Sequence, residues 1–235
     1  MRKVMVLALA IPLLGACTTV SQVATKMARA EDAEEAGFSD KAQDSLYLGV
    51  IEGLIKQGRC QAALAFLDEY HQTSPRAAVL RGDALIGAGY PYQAVPAYKL
   101  AINSSYAAAA FNGMGRAQSA QGGWAEAVES FRRASAIEPA NADYLNNLGY
   151  AQLRSNVRYS AAVARDNLKR AHELDPGSVT IRNNLILAAK QLNDHAEVTA
   201  LLGEINDGRL RRKVAAFSDG WSGNQGDVTN EEGTP

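Results

Sequence analysis

An all-α solenoid of about five helix pairs, closed by a C-terminal capping helix, is the fold class this sequence predicts, on three observations. Alanine or its equivalent recurs in register at positions 63, 94, 127, 164 and 198, at intervals of 31, 33, 37 and 34. One turn later each is followed by a large residue, Leu67, Tyr98, Phe131, Leu168 and Leu202, and three units carry a preceding glycine, Gly82, Gly115 and Gly149. Proline closes units at Pro75, Pro139 and Pro176. Self-similarity at a period of ~20–50 residues marks a repeat architecture, and ordinary amphipathic helices would show apolar periodicity without this fixed order of residue types.

The order has a packing reason. A glycine or alanine lets a partner helix approach closely, and the large residues are expected to fill the space against the next unit. Proline stops each pair, because it lacks the helical N–H and disfavours helix in the residue before it. In the third unit Phe111, Met114 and Gly115 are followed by Ala127, Phe131, Ala134 and Pro139. This run resembles the tetratricopeptide signature, whose unit is a helix–turn–helix. Leu145, Leu148, Gly149, Ala164, Leu168, Ala171 and Pro176 repeat it, with a longer interhelical turn around Arg154 to Ser160. Upstream, Ala63, Leu67, Tyr70 and Pro75 fit a first unit and Gly82, Ala94, Tyr98 and Ala101 a second; downstream, Leu185, Val198 and Leu202 fit a degenerate fifth, with Ile186 where glycine is usual. The array is placed at residues 39–205. An array needs its last apolar face covered, and residues 206–217, with Leu210, Val214 and Phe217 at helical spacing, are expected to form that cap. Residues 218–235 hold four glycines, two serines, four acids and no Lys or Arg, a composition that reads as a disordered acidic tail.

Before the array the sequence changes character. Arg2 and Lys3 precede the apolar run Val4 to Leu14, too short to span ~30 Å of hydrocarbon but suited to the core of a signal peptide. Leu14-Gly15-Ala16-Cys17 resembles the bacterial lipobox. That resemblance implies cleavage after residue 16 and lipid attachment at Cys17; the alternative is plain cleavage with a free thiol. More than one acyl chain gives stable anchoring, and Thr18 in place of Asp implies the outer membrane in bacteria that sort on that residue. Residues 17–38 read as the lipidated N-terminus and a polar tether.

Composition narrows the function classes. The formal charge is -1, and -3 once Arg2 and Lys3 are removed with the leader, which gives no support to nucleic-acid binding. Cys60, among alanines, reads as a small buried hydrophobe rather than a reactive thiol. His71, His172 and His195 lie in different units without metal-ligand spacing. Gly113-Met114-Gly115 and Gly87-Ala88-Gly89 follow no strand and precede no P-loop lysine, and no nucleophile elbow occurs. Catalytic residues, metal and cofactor are therefore expected to be none, with no small-molecule substrate and no nucleic acid. Arg209, Arg211, Arg212 and Lys213 could meet acidic partners or lipid headgroups, or form the solvated face of the cap.

In tetratricopeptide arrays the first helices line the concave face. Counting from the signature glycine places Asn112 and Arg116 there in the third unit, Asn146, Asn147, Tyr150 and Arg154 in the fourth, and Asn183, Asn184 and Lys190 in the fifth. A carboxamide both donates and accepts, so a row of them can hold the backbone of an extended peptide; the other reading is that they solvate the helices or cap carbonyls. Lipobox, short tether, repeats, and Arg182-Asn183-Asn184-Leu185 through Ala188 to Ala196-Glu197 and Leu201-Leu202 together resemble the tight-adherence (Tad/Flp) pilus assembly lipoproteins of the TadD type. The resemblance implies a non-enzymatic, periplasm-facing outer-membrane protein that supports assembly of a secretion and pilus machine, with the secretin or other machine components as partners. The second reading is an envelope adaptor that recruits peptidoglycan hydrolases or proteases.

Overall fold

The computed structural model describes residues 40–70, 73–155 and 161–220. Among them are eleven helices: α1 (Asp40–Lys56), α2 (Cys60–Glu69), α3 (Pro75–Gly87), α4 (Pro91–Lys99), α5 (Ala107–Ala120), α6 (Trp124–Ile137), α7 (Ala142–Ser155), α8 (Ala161–Leu174), α9 (Val179–Gln191), α10 (His195–Gly203) and α11 (Gly208–Gly220). They form five antiparallel pairs, α1/α2 to α9/α10, with α11 laid against both helices of the last pair. Each helix touches its chain neighbours, and the first helices touch one another directly, α1 to α3, α3 to α5, α5 to α7 and α7 to α9. Contacts among the described residues go no further along the chain than the next helix but one, the one-dimensional order of a solenoid.

Local chemistry sets the ends of the helices. Pro75 and Pro91 sit in the first turn of α3 and α4, where the missing N–H costs nothing. Ser74 accepts from the Ala77 N–H, Ser178 from Ile181 and Asp194 from Glu197, each capping a helix. The turn inside a pair needs one left-handed residue, and Gly58 (φ 72°), Gly89 (φ 84°), Gly122 (φ 80°) and Asn193 (φ 57°) supply it in four units. The turn of the fourth unit differs from expectation at its start: Arg154 and Ser155 still belong to α7, and residues 156–160 lie outside the described segment.

The alanines at 63, 94, 127 and 164 are fully buried and Val198 is 8% exposed. The large residues share apolar clusters with the following unit, as expected, Leu67 with Leu80, Phe131 with Leu148 and Leu168 with Leu185, and they also pack inward. They pack against the glycine of their own unit: a Cβ added at Gly115 would lie 2.6 Å from the Phe131 ring, and one at Gly149 would lie 2.6 Å from Leu168 Cγ. Tyr98 also meets a glycine of the following unit, its ring held between Gly82 of its own unit and Gly113 of the next. The glycines therefore close each pair from within, while the alanines admit the neighbouring helix. Cys60 is buried and free, its sulfur against Gly87. In the fifth unit Ile186, fully buried, fills the place of the glycine.

The capping helix is rotated from the expected register. Val214 is buried, but Leu210 is 37% and Phe217 is 49% exposed, and the second inward residue is Ser218. Hydrogen bonds fix that rotation. The Arg211 guanidinium donates to the Ile205 carbonyl through Nε and Nη2, and Lys190 of α9 pairs with Asp219. Ser218 and Asp219, assigned from composition to the tail, are thus part of the helix; the tail from residue 221 onward, the signal segment, Cys17 and the tether lie outside the described residues.

Candidate functional site

The first helices carry a row of side-chain amides that bond to one another between units. Asn147 Nδ2 on α7 donates to Asn112 Oδ1 on α5 at 2.9 Å, and Asn184 Nδ2 on α9 donates to Asn146 Oδ1 on α7, also at 2.9 Å. Asn146 Nδ2 reaches Asn147 Oδ1 at 3.4 Å, closing the run from α9 to α5. Both inter-unit bonds obey one rule. The asparagine two residues before the glycine register donates to the one three residues before it in the preceding unit. Among the described residues the rule ends at the fifth unit: Asn183 holds its acceptor position, α11 follows in place of another pair, and the buried Asn183 Oδ1 receives no hydrogen bond. It begins at the third unit because the donor position there is Gly113 and the acceptor position of the second is Val79.

Each amide has two N–H donors and an oxygen with two lone pairs. The ladder uses one donor and one lone pair at most at each rung, so Asn112, Asn147 and Asn184, all half-buried, keep further capacity while their orientation is held. Asn146 is different. It is 6% exposed, so it is the inner link of the ladder and not a residue that meets a ligand, which corrects the expectation from register alone.

The other predicted residues separate into three places. Arg116 continues the row toward the N-terminus, pairing at 2.9 Å with Asp83, which holds the same register position on α3. Asp83 also accepts from the Tyr98 hydroxyl at 2.8 Å. Burial first, then the Asp83 charge, raises the Tyr98 phenol far above its ordinary range, so it stays a donor. Tyr144 on α7 is affected by the same carboxylate: burial, then Glu138, Asp143 and Asp83, push it upward. Tyr150 and Arg154 form a second cluster. The Arg154 guanidinium lies 4.6 Å from the centre of the Trp124 ring, Trp124 meets Tyr150 edge-on at 5.9 Å, and Arg154 Nη1 donates to the Tyr150 hydroxyl at 3.4 Å. Lys190 is not in the row. Its ammonium is turned to Asp219 of the cap, because α11 lays that carboxylate over α9.

Asp83, Tyr144 and Trp124 are the residues that register reasoning missed. Asp83 was legible, since it holds the position of Arg116 and Tyr150 one residue after the glycine. Trp124 begins a second helix, and only the stacking of one pair on the next brings it under Arg154. Among the described residues no group of three His, Cys, Asp or Glu could hold a metal ion, and no helix is long and apolar enough to cross a membrane.

The arrangement is comparable with known proteins. A TPR repeat family model matches residues 115–156, which spans the end of α5, all of α6 and α7. MamA 41-end from Desulfovibrio magneticus RS-1 superimposes with a TM-score of 0.57 at 20% identity, covering 77% of this chain and 98% of that one. The fold is a tetratricopeptide-repeat solenoid. A MamA RS-1 double mutant gives a TM-score of 0.58 at 19% identity, over 77% of this chain and 98% of the other. YrrB, described as a TPR protein with an unusual peptide-binding site, gives 0.57 at 15% identity, over 80% of this chain and 97% of YrrB. No curated protein sequence matches the chain.

Proposed function

We propose that the row Asp83–Arg116–Asn112–Asn147–Asn184 binds an extended segment of another protein, and that the chain is a non-enzymatic assembly scaffold. One observation carries this reading: the ladder from Asn184 to Asn112 holds amides in line across three units. Amides held in place need lose little rotamer freedom on binding, so their remaining donors and acceptors are pre-organised for a peptide backbone. The tetratricopeptide-repeat fold supports it further, because stacked helix pairs create extended surfaces for protein recognition.

The lipobox and the resemblance to the TadD type support a finer reading. The chain is anchored through a lipid on Cys17 at the outer membrane, facing the periplasm, and supports assembly of a Tad/Flp pilus machine, with the secretin or another component of that machine as partner. Metabolic acyl labelling tests the anchor: a Cys17→Ser variant is expected to lose the label and leave the membrane fraction, and retained label overturns that part. The partner is tested by crosslinking in intact envelopes and capture of the wild-type chain beside Asn147→Ala/Asn184→Ala, at a temperature where both are folded. The expected result is a secretin or pilus-machine component recovered by the wild type and depleted roughly tenfold to a hundredfold by the double variant, as the loss of two backbone hydrogen bonds of ~0.5–1.5 kcal/mol each implies. Peptidoglycan hydrolases in that depleted fraction would favour the envelope-adaptor reading. Equal recovery by both chains refutes the row as the binding surface.

A further inference from the structure

The capping helix α11 carries a second surface, distinct from the asparagine row. At 100° per residue Leu210 and Phe217 stand nearly above one another on the exposed flank that borders buried Val214, and Lys213 and then Arg209 lie further round, away from Val214 and Ser218. Arg212 and Ala216 complete this exposed face. Its charge is uncompensated among the described residues. Arg209, Arg212 and Lys213 have no ion-pair partner there, and the acids nearby are committed elsewhere: Asp219 to Lys190, and Asp207 to the backbone N–H groups of Arg209 and Leu210. The fourth cation, Arg211, is turned inward onto the Ile205 carbonyl.

Three unpaired cations around two exposed large hydrophobics fit one kind of surface. We propose that the exposed face of α11 docks on an anionic phospholipid bilayer. Guanidinium and ammonium groups would meet headgroup phosphates, while Leu210 and Phe217 enter the boundary between headgroups and acyl chains. The face is a convex helix side with its cations outermost and its apolar residues along the flank beside Val214, and a fluid bilayer surface moulds to both without a matching groove. The docking is independent of a lipid on Cys17 and of the asparagine row; together with an N-terminal anchor it would hold both ends of the array at a membrane.

The test uses the chain from residue 18 onward, which keeps every described helix and lacks the apolar leader and Cys17. Flotation is measured with phosphatidylcholine vesicles, with and without phosphatidylglycerol. Binding is expected only to the anionic vesicles and is expected to weaken with salt. Each cation near an anionic surface is worth about fivefold, so Arg209→Ala/Lys213→Ala should lower the partition coefficient roughly thirtyfold. Phe217→Ser should lower it roughly tenfold or more even at low salt. Arg132→Ala/Arg133→Ala, which removes two exposed cations of α6, should leave it unchanged, and circular dichroism checks that all variants keep the wild-type helix content. No binding to anionic vesicles, equal binding to both kinds, or an equal loss with the α6 pair overturns the proposal. Binding that appears only after removal of residues 221–235 also overturns it, and assigns the face to the chain's own acidic C-terminal stretch.

Discussion

The same substitution, glycine to alanine, is expected to have opposite signs at two helical positions. At Gly82 on α3 a new Cβ would lie 2.5 Å from Cε1 and Cζ of Tyr98 and 2.7 Å from Cε2, about 1 Å short of ordinary contact in a close-packed interior. The ring has nowhere to go. Its other side lies on Gly113, where a Cβ would be 2.2 Å from Cε1, and its hydroxyl is tied to Asp83 at 2.8 Å. Overpacking of this kind costs ~1–3 kcal/mol. Displacing the ring from a charged acceptor costs ~1.5–3 kcal/mol more. The better helix propensity of alanine returns about 1 kcal/mol, leaving a net loss of about 1.5–5 kcal/mol. Gly49 on α1 has nothing within 4 Å of its notional Cβ, so there only the propensity gain of about 1 kcal/mol remains.

Denaturant and thermal unfolding followed by circular dichroism separate the two cases. For a chain of this size 1 kcal/mol moves the melting temperature by ~2–4 °C, so Gly82→Ala should melt roughly 3–20 °C lower and Gly49→Ala roughly 2–4 °C higher. A Tyr98→Leu background removes the ring atoms that the new methyl group would strike, so the cost of Gly82→Ala should largely vanish there, as coupling between touching residues requires. If Gly82→Ala stabilises as Gly49→Ala does, or costs the same with and without the Tyr98 ring, the pairing of glycine with the large residue of its own unit is wrong.

Three further outcomes are expected. Asn184→Ala should lower stability by about 1–3 kcal/mol, because it strips the donor from the buried Asn146 oxygen, whereas Asn112→Ala, losing an acceptor at the end of the ladder, should cost less; urea titrations of the two check the order. Tyr98 gives a pH signature at the alkaline end. Its folded-state pKa is raised, so above about pH 10 the unfolded chain loses a proton that the native chain keeps, and stability falls by up to about 1.4 kcal/mol per pH unit; the contribution is fully present below that pH, and Tyr98→Phe should flatten the decline relative to wild type. Val214→Asp should place a carboxylate in the apolar contact between α11 and the last pair and cost about 2–4 kcal/mol, while Phe217→Ser, on the outer side of the same helix, should shift the melting temperature little.

Much of the fold was legible because a solenoid packs through neighbours. Each pair repeats the same close contacts, so Ala63, Ala94, Ala127 and Ala164, all without exposure, impose their size limit again and again at nearly one interval, and the interval can be read without knowing the contacts. The prolines and turn glycines are legible for a local reason, since each fixes a backbone state by its own covalent structure. Register also placed Asn112, Asn147 and Asn184 on one side of the array. It could not say what they do there. Whether an amide points to water, to a partner or to the next repeat depends on the offset between adjacent first helices, and that offset brings Asn147 to Asn112 across 35 positions and Asn184 to Asn146 across 38.

What the sequence determined alone is the repeat and its period, because steric size at a close helix contact is a property of single residues. The tertiary structure decided the rotations and the partners. For α11 the apolar spacing of Leu210, Val214 and Phe217 pointed to one inward face, yet the helix turns until Val214 and Ser218 are inside, Arg211 reaches the Ile205 carbonyl and Asp219 reaches Lys190. The carbonyl and the ammonium that hold this rotation belong to Ile205 and Lys190, so the rotation is defined only when the last pair of helices is already in place.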